Sequence, residues 1–194
     1  MREYIEYIFL AIIQGVTEFL PVSSSGHIEF LKHVINNPTI QKEGAFITVI
    51  LHLATALSII VVFRKKLKKL LFKYNTESKN YILKVLVSMI PVAILVLFNI
   101  DQIIENKYNE GWGLIFIALM FLITGMILFI TEKISIKTKN ITFIAALIIG
   151  IAQAIAILPG ISRSGLTICC ALLLGATKKE ASTFSFLICL PIIL

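Results

Sequence analysis

Long stretches of this chain contain no charged residue, and they constrain its fold more than any other feature. Residues 44–63 and 113–130 are almost entirely apolar. Each is close to the roughly 20 residues that an α-helix needs to cross the hydrocarbon core of a bilayer. The whole chain follows the same trend, since 58% of its residues are hydrophobic and only 15% are charged. This composition excludes an ordinary soluble domain and predicts an integral membrane protein.

The apolar segments predict α-helices, because the strands of a membrane barrel would show short alternating segments instead. Full membrane spans are expected at about 44–63, 81–100 and 113–131. The net charge of +7 comes largely from Lys and Arg residues in short segments between the apolar runs. Their placement indicates topology, with the basic residues of 64–69 marking the cytoplasmic side. It also argues against a nucleic-acid partner.

A polar motif occurs twice in this apolar chain. Residues 14–27 read QGVTEFLPVSSSGH, and residues 158–167 read LPGISRSGLT. Each motif follows an apolar segment, breaks at a proline and then places Ser and Gly where a new helix would begin. Aligning the Leu-Pro pairs, with one inserted residue, matches Ser23 with Ser162, Ser25 with Ser164, and Gly26 with Gly165. Two broken apolar segments in corresponding positions predict a binding site at the interface of two repeats.

We therefore predict an all-α polytopic integral membrane protein with an inverted-topology repeat, in which two re-entrant helix hairpins enter the membrane from opposite sides. The first repeat covers residues 1–131 and begins with a hairpin at 1–35. The second covers 141–194, with a hairpin at 141–176 and the start of a transmembrane helix at 180–194. The motifs are offset by about 139 residues, so counterparts of the three spans would extend to about residue 270. The second repeat is thus expected to be incomplete in this chain.

Three ionisable residues of the motifs lie at the predicted depth of the membrane, where charge is costly and normally marks a functional site. Arg163 can bind phosphate with its planar fork, beside the N-terminus of the helix that starts there. Glu18 supplies a carboxylate for a divalent metal, and His27 supplies an imidazole that can remove a proton. The hydroxyls that could act as nucleophiles are those of Ser23, Ser24 and Ser25.

Structural roles for the same residues stay open at this point. His27 could be a satisfied group at a helix start, and Glu18 and Arg163 could form an ion pair across the repeats. Gln14 lies one helical turn before Glu18, where it could be a metal ligand or an interhelical hydrogen-bonding group. His33 and His52 are interpreted as structural.

Phosphoryl transfer requires mainly positioning and charge stabilisation, so this set of residues is sufficient in kind. The expected ligand is an amphiphile whose diphosphate head group enters the site while its apolar tail stays in the bilayer.

At these residues the chain resembles the bacterial undecaprenyl-diphosphate phosphatases of the bacitracin-resistance type. That family carries an (E/Q)xxxE motif that leads into PxSSxGH, and a PGxSRSGxT segment. Here they stand as Gln14-x-x-x-Glu18, residues 21–27 and residues 159–167, and the resemblance runs along the whole chain. It implies hydrolysis of undecaprenyl diphosphate to undecaprenyl phosphate and phosphate, which recycles the lipid carrier of peptidoglycan synthesis and gives bacitracin resistance. It also implies Mg²⁺ or Ca²⁺ as cofactor, and a bacterial cytoplasmic membrane location with the active site on the extracytoplasmic side.

The resemblance implies residue roles as well. Glu18 with Gln14 would serve the metal, and Ser24 would be the nucleophile with His27 as its partner. Arg163, together with Ser162 and Thr167, would hold the diphosphate. The residues expected to contact substrate are Ser23, Ser25, Gly26, Gly160, Ser162, Ser164, Gly165 and Thr167.

Two other interpretations stay open. Inverted repeats with broken helices are typical of transporters, so a polyprenyl-phosphate carrier or flippase without hydrolysis is the chief rival. Such a carrier would need phosphate-binding groups but no nucleophile and base. The other alternative is an inactive membrane fragment. The sequence leaves a monomer and a homodimer both open.

Overall fold

The protein is described by a computed structural model that covers residues 2–42, 44–72, 75–100, 103–104, 113–133 and 140–193. These residues form helices joined by short connections, with no strand among them. In chain order the helices are α1 (Arg2–Phe19), α2 (Ser24–Ile35), α3 (Pro38–Lys42), α4 (Gly44–Phe72), α5 (Thr76–Leu97), α6 (Gly113–Glu132), α7 (Phe143–Ile155), α8 (Arg163–Leu173) and α9 (Lys178–Ile193).

Three of these helices are long and apolar enough to cross a membrane. They are Phe46–Phe72 within α4, Thr76–Leu97 (α5) and Gly113–Glu132 (α6). Large apolar side chains on their outer faces are exposed, for example Val49 on α4 and Leu122 on α6. Such a surface is suited to lipid. The prediction of an all-α, multi-pass membrane protein is confirmed.

Helix α4 is longer than the apolar run that predicted it. It continues from the expected end at residue 63 through the basic cluster to Phe72. Lys and Arg are good helix formers, and their long side chains can reach the membrane interface while their stems cover apolar surface. The basic cluster therefore ends the apolar span without ending the helix.

Helix α5 begins before the expected start at residue 81. The side chain of Asn75 caps it by accepting a hydrogen bond from the backbone N–H of Ser78 at 2.8 Å. The helix then continues through Pro91.

Helix α7 packs along α5 with almost no space between the two backbones. A Cβ atom placed on Gly150 would lie 2.3 Å from the carbonyl oxygen of Ser88. Small residues permit this approach, as is common between membrane helices. A buried cluster around the contact extends through α8 and α9, with members Ile141, Ala145, Ala146, Ile149, Ala171, Ala176, Ala181, Phe184 and Ile188. This cluster fixes α7 and α8, and with them the second polar motif.

The first motif is positioned by a separate buried cluster. Leu10 of α1 and Ile28 of α2 pack with Ile40 and Ile47. Helix α2 also contacts α6, and α6 contacts α8. Helix α6 thus packs against the second helix of each motif.

Candidate functional site

The two polar motifs lie directly against each other. The hydroxyl of Ser164 donates to the carbonyl oxygen of Leu20 at 3.2 Å, across 144 residues of sequence. A Cβ on Gly26 would lie 3.0 Å from Cα of Gly160, and a Cβ on Gly165 would lie 3.1 Å from the carbonyl oxygen of Pro21. The glycines predicted to contact substrate therefore allow the two turns to meet.

Each motif starts a helix in the same way. Ser23 caps α2 by accepting from the N–H of Gly26 at 3.3 Å, and Ser162 caps α8 by accepting from the N–H of Gly165 at 3.0 Å. In both motifs the capping hydroxyl lies close to a second serine hydroxyl, at 3.4 Å and 3.3 Å. Residues matched by the sequence alignment thus have matching local geometry. The free N–H groups and positive dipole ends of two helices are available to an anion.

One backbone feature differs between the motifs. Ser23 has φ 65°, in the left-handed region, whereas its counterpart Ser162 has φ −76°. In the second motif a left-handed residue is Gly160, with φ 93°. A non-glycine residue in this region costs about 1 kcal/mol or more and is often found at functional sites.

Glu18 connects the two motifs through a partly buried ion pair. Nη2 of Arg163 donates to Oε1 of Glu18 at 2.6 Å. The Glu18 side chain is 6% exposed and the Arg163 side chain 23%. Oε2 of Glu18 accepts from Nε2 of Gln14 at 2.8 Å and from the hydroxyl of Ser24. Both carboxylate oxygens are therefore engaged, one by each motif.

A cavity of about 190 Å³ opens beside this pair. Its polar lining includes Glu18 with the serines and arginine of the two motifs, together with one histidine from α4. The lining residues are Glu18, Ser23, Ser24, Ser25, His52, Ala156, Ile157, Ile161, Ser162, Arg163 and Ser164. Hydroxyls, a guanidinium and two helix starts around one space form a site suited to phosphate oxygens.

His27 and Thr167 are placed near the cavity but outside its lining. Nδ1 of His27 lies 2.7 Å from the carbonyl oxygen of Ser23, and its ring packs on Phe121 with centroids 4.9 Å apart. The hydroxyl of Thr167 donates to the carbonyl oxygen of Arg163 at 2.8 Å and lies 2.6 Å from the hydroxyl of Ser185. In this structure both side chains hold the motif backbones, His27 in α2 and Thr167 in α8.

Three residues near the site were not identified from the sequence. Thr124 of α6 accepts a hydrogen bond from the backbone N–H of Ser162 at 3.2 Å. Ser185 of α9 supports Thr167, and His52 of α4 lines the cavity. Polar side chains in apolar helices often form hydrogen bonds with the backbone of their own helix. The sequence therefore does not distinguish these three site residues from polar residues with a purely structural role.

The donor set fits a hard cation that keeps much of its water. Within the described residues, no three His, Cys, Asp or Glu side chains come together. Mg²⁺ is commonly held by one or two carboxylates with substrate phosphates and water. Glu18 supplies one carboxylate at the cavity, and Gln14, which lies outside the cavity lining, donates a hydrogen bond from its amide nitrogen to Glu18.

Comparison with known sequences identifies the family. The family profile of the bacitracin resistance protein BacA matches residues 7–194. The chain belongs to the BacA family. The resemblance noted at the two motifs is thereby confirmed.

Relatives in the BacA family align over nearly the whole chain. A Christiangramia forsetii protein named undecaprenyl-diphosphatase is 44% identical over 191 residues, which cover 96% of this chain and 71% of that protein. Proteins with the same name from Methanococcus vannielii and Thermosipho africanus are 41% and 43% identical over 194 residues, which cover 97% of this chain and 75% of each relative. Both polar motifs lie within the aligned region.

Proposed function

We propose that this chain hydrolyses undecaprenyl diphosphate to undecaprenyl phosphate and phosphate. The observation that carries the proposal is the contact between Arg163 and Glu18, which joins both polar motifs at one cavity. The aligned relatives named undecaprenyl-diphosphatase support the same reaction. The product is the lipid carrier for peptidoglycan precursors, and its regeneration gives bacitracin resistance.

In this proposal, Arg163 and the two helix starts bind the diphosphate. The guanidinium has five N–H donors in a rigid fork, and Nη2 is directed at Glu18. Further donors of the fork can therefore bind phosphate oxygens while the ion pair holds the side chain in place. The hydroxyls of Ser162 and Ser164 line the same wall.

Ser24 is the proposed nucleophile because its hydroxyl already donates to the Glu18 carboxylate. Its oxygen attacks the terminal phosphorus, and its proton passes to Glu18. As the new O–P bond forms, the bond from that phosphorus to the bridging oxygen breaks, and undecaprenyl phosphate leaves with the bridging oxygen.

The second step releases phosphate. The oxygen of a water molecule attacks the phosphorus of the phosphoserine, and the bond from phosphorus to the Ser24 oxygen breaks. One proton of the water goes to the Ser24 oxygen, and the other stays on the released phosphate. Glu18 gives its proton to solvent, and the site returns to its starting state.

The role of His27 as partner of the nucleophile stays a prediction from the resemblance. In this structure Glu18 contacts Ser24 directly, whereas His27 is directed at the carbonyl oxygen of Ser23. We therefore assign proton acceptance to Glu18, with His27 holding the first turn of α2.

A Mg²⁺ or Ca²⁺ ion would be held by Glu18 and the amide oxygen of Gln14. When bound, it supplies positive charge to phosphate oxygens. Gln14 also holds Oε2 of Glu18 in place.

The fold proposed for this reaction is an inverted-topology repeat in the bacterial cytoplasmic membrane, with the cavity on the extracytoplasmic side. Its support is the matching cap geometry of the two motifs. Helices α7 and α8 have 13 and 11 residues, too short for a full crossing. A polar turn between two short helices at membrane depth is tolerated where protein or a wet cavity surrounds it.

The reaction can be tested by phosphate release from a long-chain polyprenyl diphosphate in detergent. The Christiangramia forsetii relative serves as a positive control in the same assay. Metal-dependent release by this chain supports the proposal. If the folded chain binds the lipid and moves it across the vesicle membrane without releasing phosphate, the hydrolase proposal is wrong and the chain is a lipid carrier.

A further inference from the structure

His52 is the one cavity-lining histidine among the described residues, and it comes from outside both polar motifs. It lies on α4 and lines the cavity with Glu18, Ser24 and Arg163. Nothing near it in the sequence resembles a motif.

The face of α4 that carries His52 is turned toward the site. Ala56 and Ile59 follow His52 at helical spacing, and they are 0% and 1% exposed. Ile59 lines a small gap beside Glu18, Arg163 and Cys189. Side chains at this spacing lie on the same face of a helix. His52 and Ile59 therefore both face the region around Glu18 and Arg163, about two helical turns apart.

The orientation of the imidazole is fixed by its own helix. Nδ1 of His52 lies 2.8 Å from the carbonyl oxygen of Thr48. A carbonyl oxygen only accepts, so Nδ1 carries the hydrogen. Nε2 has no hydrogen-bonding partner in the part of the chain that the structure describes, and it is the nitrogen available to a ligand.

His27 provides an internal comparison. Its Nδ1 also lies against a carbonyl oxygen, that of Ser23, but its ring packs on Phe121 outside the cavity lining. Of these two histidines, His52 is therefore the one placed to contact a ligand in the cavity.

The charges of the cavity lining bear on which ligand Nε2 of His52 would contact. The charges of Glu18 and Arg163 cancel, so the lining is close to neutral without His52. A diphosphate presents several oxygen atoms to this space, so it offers hydrogen-bonding partners to side chains of the lining besides Arg163.

We propose that His52 is a further substrate-contacting residue, whose Nε2 forms a hydrogen bond with the phosphate group of the bound diphosphate. The identity of the lipid substrate rests on the proposed function, whereas the phosphate contact rests on the cavity geometry. Helix α4 then contributes one hydrogen-bonding side chain to the site, in addition to Arg163 of the second motif.

The test measures binding of inorganic pyrophosphate by ³¹P NMR, together with KM for a polyprenyl diphosphate. The variants are His52→Ala and His52→Gln, with His33→Ala as the control because His33 is an exposed residue of α2. His52→Ala should weaken pyrophosphate binding about 10- to 100-fold, the contribution of a hydrogen bond to a charged group, and should raise KM similarly. Pyrophosphate binding by His52→Gln should lie between that of His52→Ala and that of wild type, because the amide keeps a hydrogen-bonding group at this position with a different geometry.

Unchanged pyrophosphate binding by both His52 variants would overturn the inference. If His52→Ala fails to fold, His52→Gln carries the test, because it keeps a polar side chain of similar length. Absence of hydrolysis in the wild-type chain, with pyrophosphate binding that still depends on His52, would contradict the proposed reaction and leave the phosphate contact standing.

Discussion

Ser24 is the residue on which the proposed chemistry most depends. Its hydroxyl is held by Glu18, so Ser24→Ala removes the nucleophile while the ion pair of Glu18 stays in place. We expect phosphate release to fall by roughly a thousandfold or more. Ser58→Ala is the matched control, since Ser58 bonds only to its own helix at Ala54 on an exposed face. Hydrolysis that survives in Ser24→Ala would indicate direct attack by water.

The ion pair of Glu18 and Arg163 predicts a distinctive pattern of stabilities. Removing one partner leaves a buried charge unpaired, so Glu18→Gln and Arg163→Gln should each lose about 3 kcal/mol of unfolding free energy. The double variant should recover part of that loss, because neither charge remains, yet it should have no activity. Denaturant unfolding in detergent measures the cycle, and additive losses would mean that the two side chains do not interact.

Sequence patterns anticipated some residue positions and missed others. The cap geometry of Ser23 and Ser162 was predictable because a helix cap depends on a few neighbouring residues. The placement of His52 and Thr124 was not, because each reaches the site from a helix that is distant in sequence. The direction of His27 depends on its contact with Phe121 of α6, which no local pattern encodes.

At the scale of the helices, Gly150 controls how closely α7 approaches α5. A Cβ at this position would lie 2.3 Å from the carbonyl oxygen of Ser88, which is backbone and cannot turn away. Gly150→Ala should therefore separate the two helices and cost about 1–3 kcal/mol. Its control is Gly125→Ala on α6, where a Cβ would meet nothing within 4 Å and helix propensity favours alanine. Thermal unfolding compares the two variants, and equal stability for both would contradict the close contact.

The ends of the helices were predictable where charge and apolarity change together. The expected span at 113–131 agrees closely with Gly113–Glu132, because the apolar run ends at charged residues. The end of α4 was misjudged, since a basic cluster ends an apolar span but is compatible with a helix.

At the scale of the whole molecule, the proposed inverted repeat predicts the side of the membrane on which each connection lies. Cysteine placed at Asn36, after α2, should react with a membrane-impermeant maleimide on intact cells. Cysteine at Lys65 or Lys178 should react only after permeabilisation, because basic ends face the cytoplasm. Of the native cysteines, Cys169 and Cys189 are buried and Cys170 is partly buried, and the unmodified chain measures the background labelling of all three cysteines. Labelling of all three positions from the same side would contradict the inverted repeat.

The membrane class of the protein was predictable from composition, because the bilayer requires long apolar helices. The docking of the two motifs was not, since it depends on contacts such as Ser164 to Leu20 that span 144 residues. The motif that occurs twice in the sequence did indicate that two turns, distant along the chain, belong to one site.

The central claim is that phosphate chemistry takes place where these two turns meet, with Arg163 contacting the diphosphate. The most direct measurement is phosphate release from a long-chain polyprenyl diphosphate by the wild-type chain, Arg163→Ala and Arg163→Lys. We expect release by wild type, a loss on the order of 10³-fold in Arg163→Ala, and incomplete recovery in Arg163→Lys, which keeps the charge but lacks the fork. A folded Arg163→Ala variant that releases phosphate at close to the wild-type rate would contradict the claim.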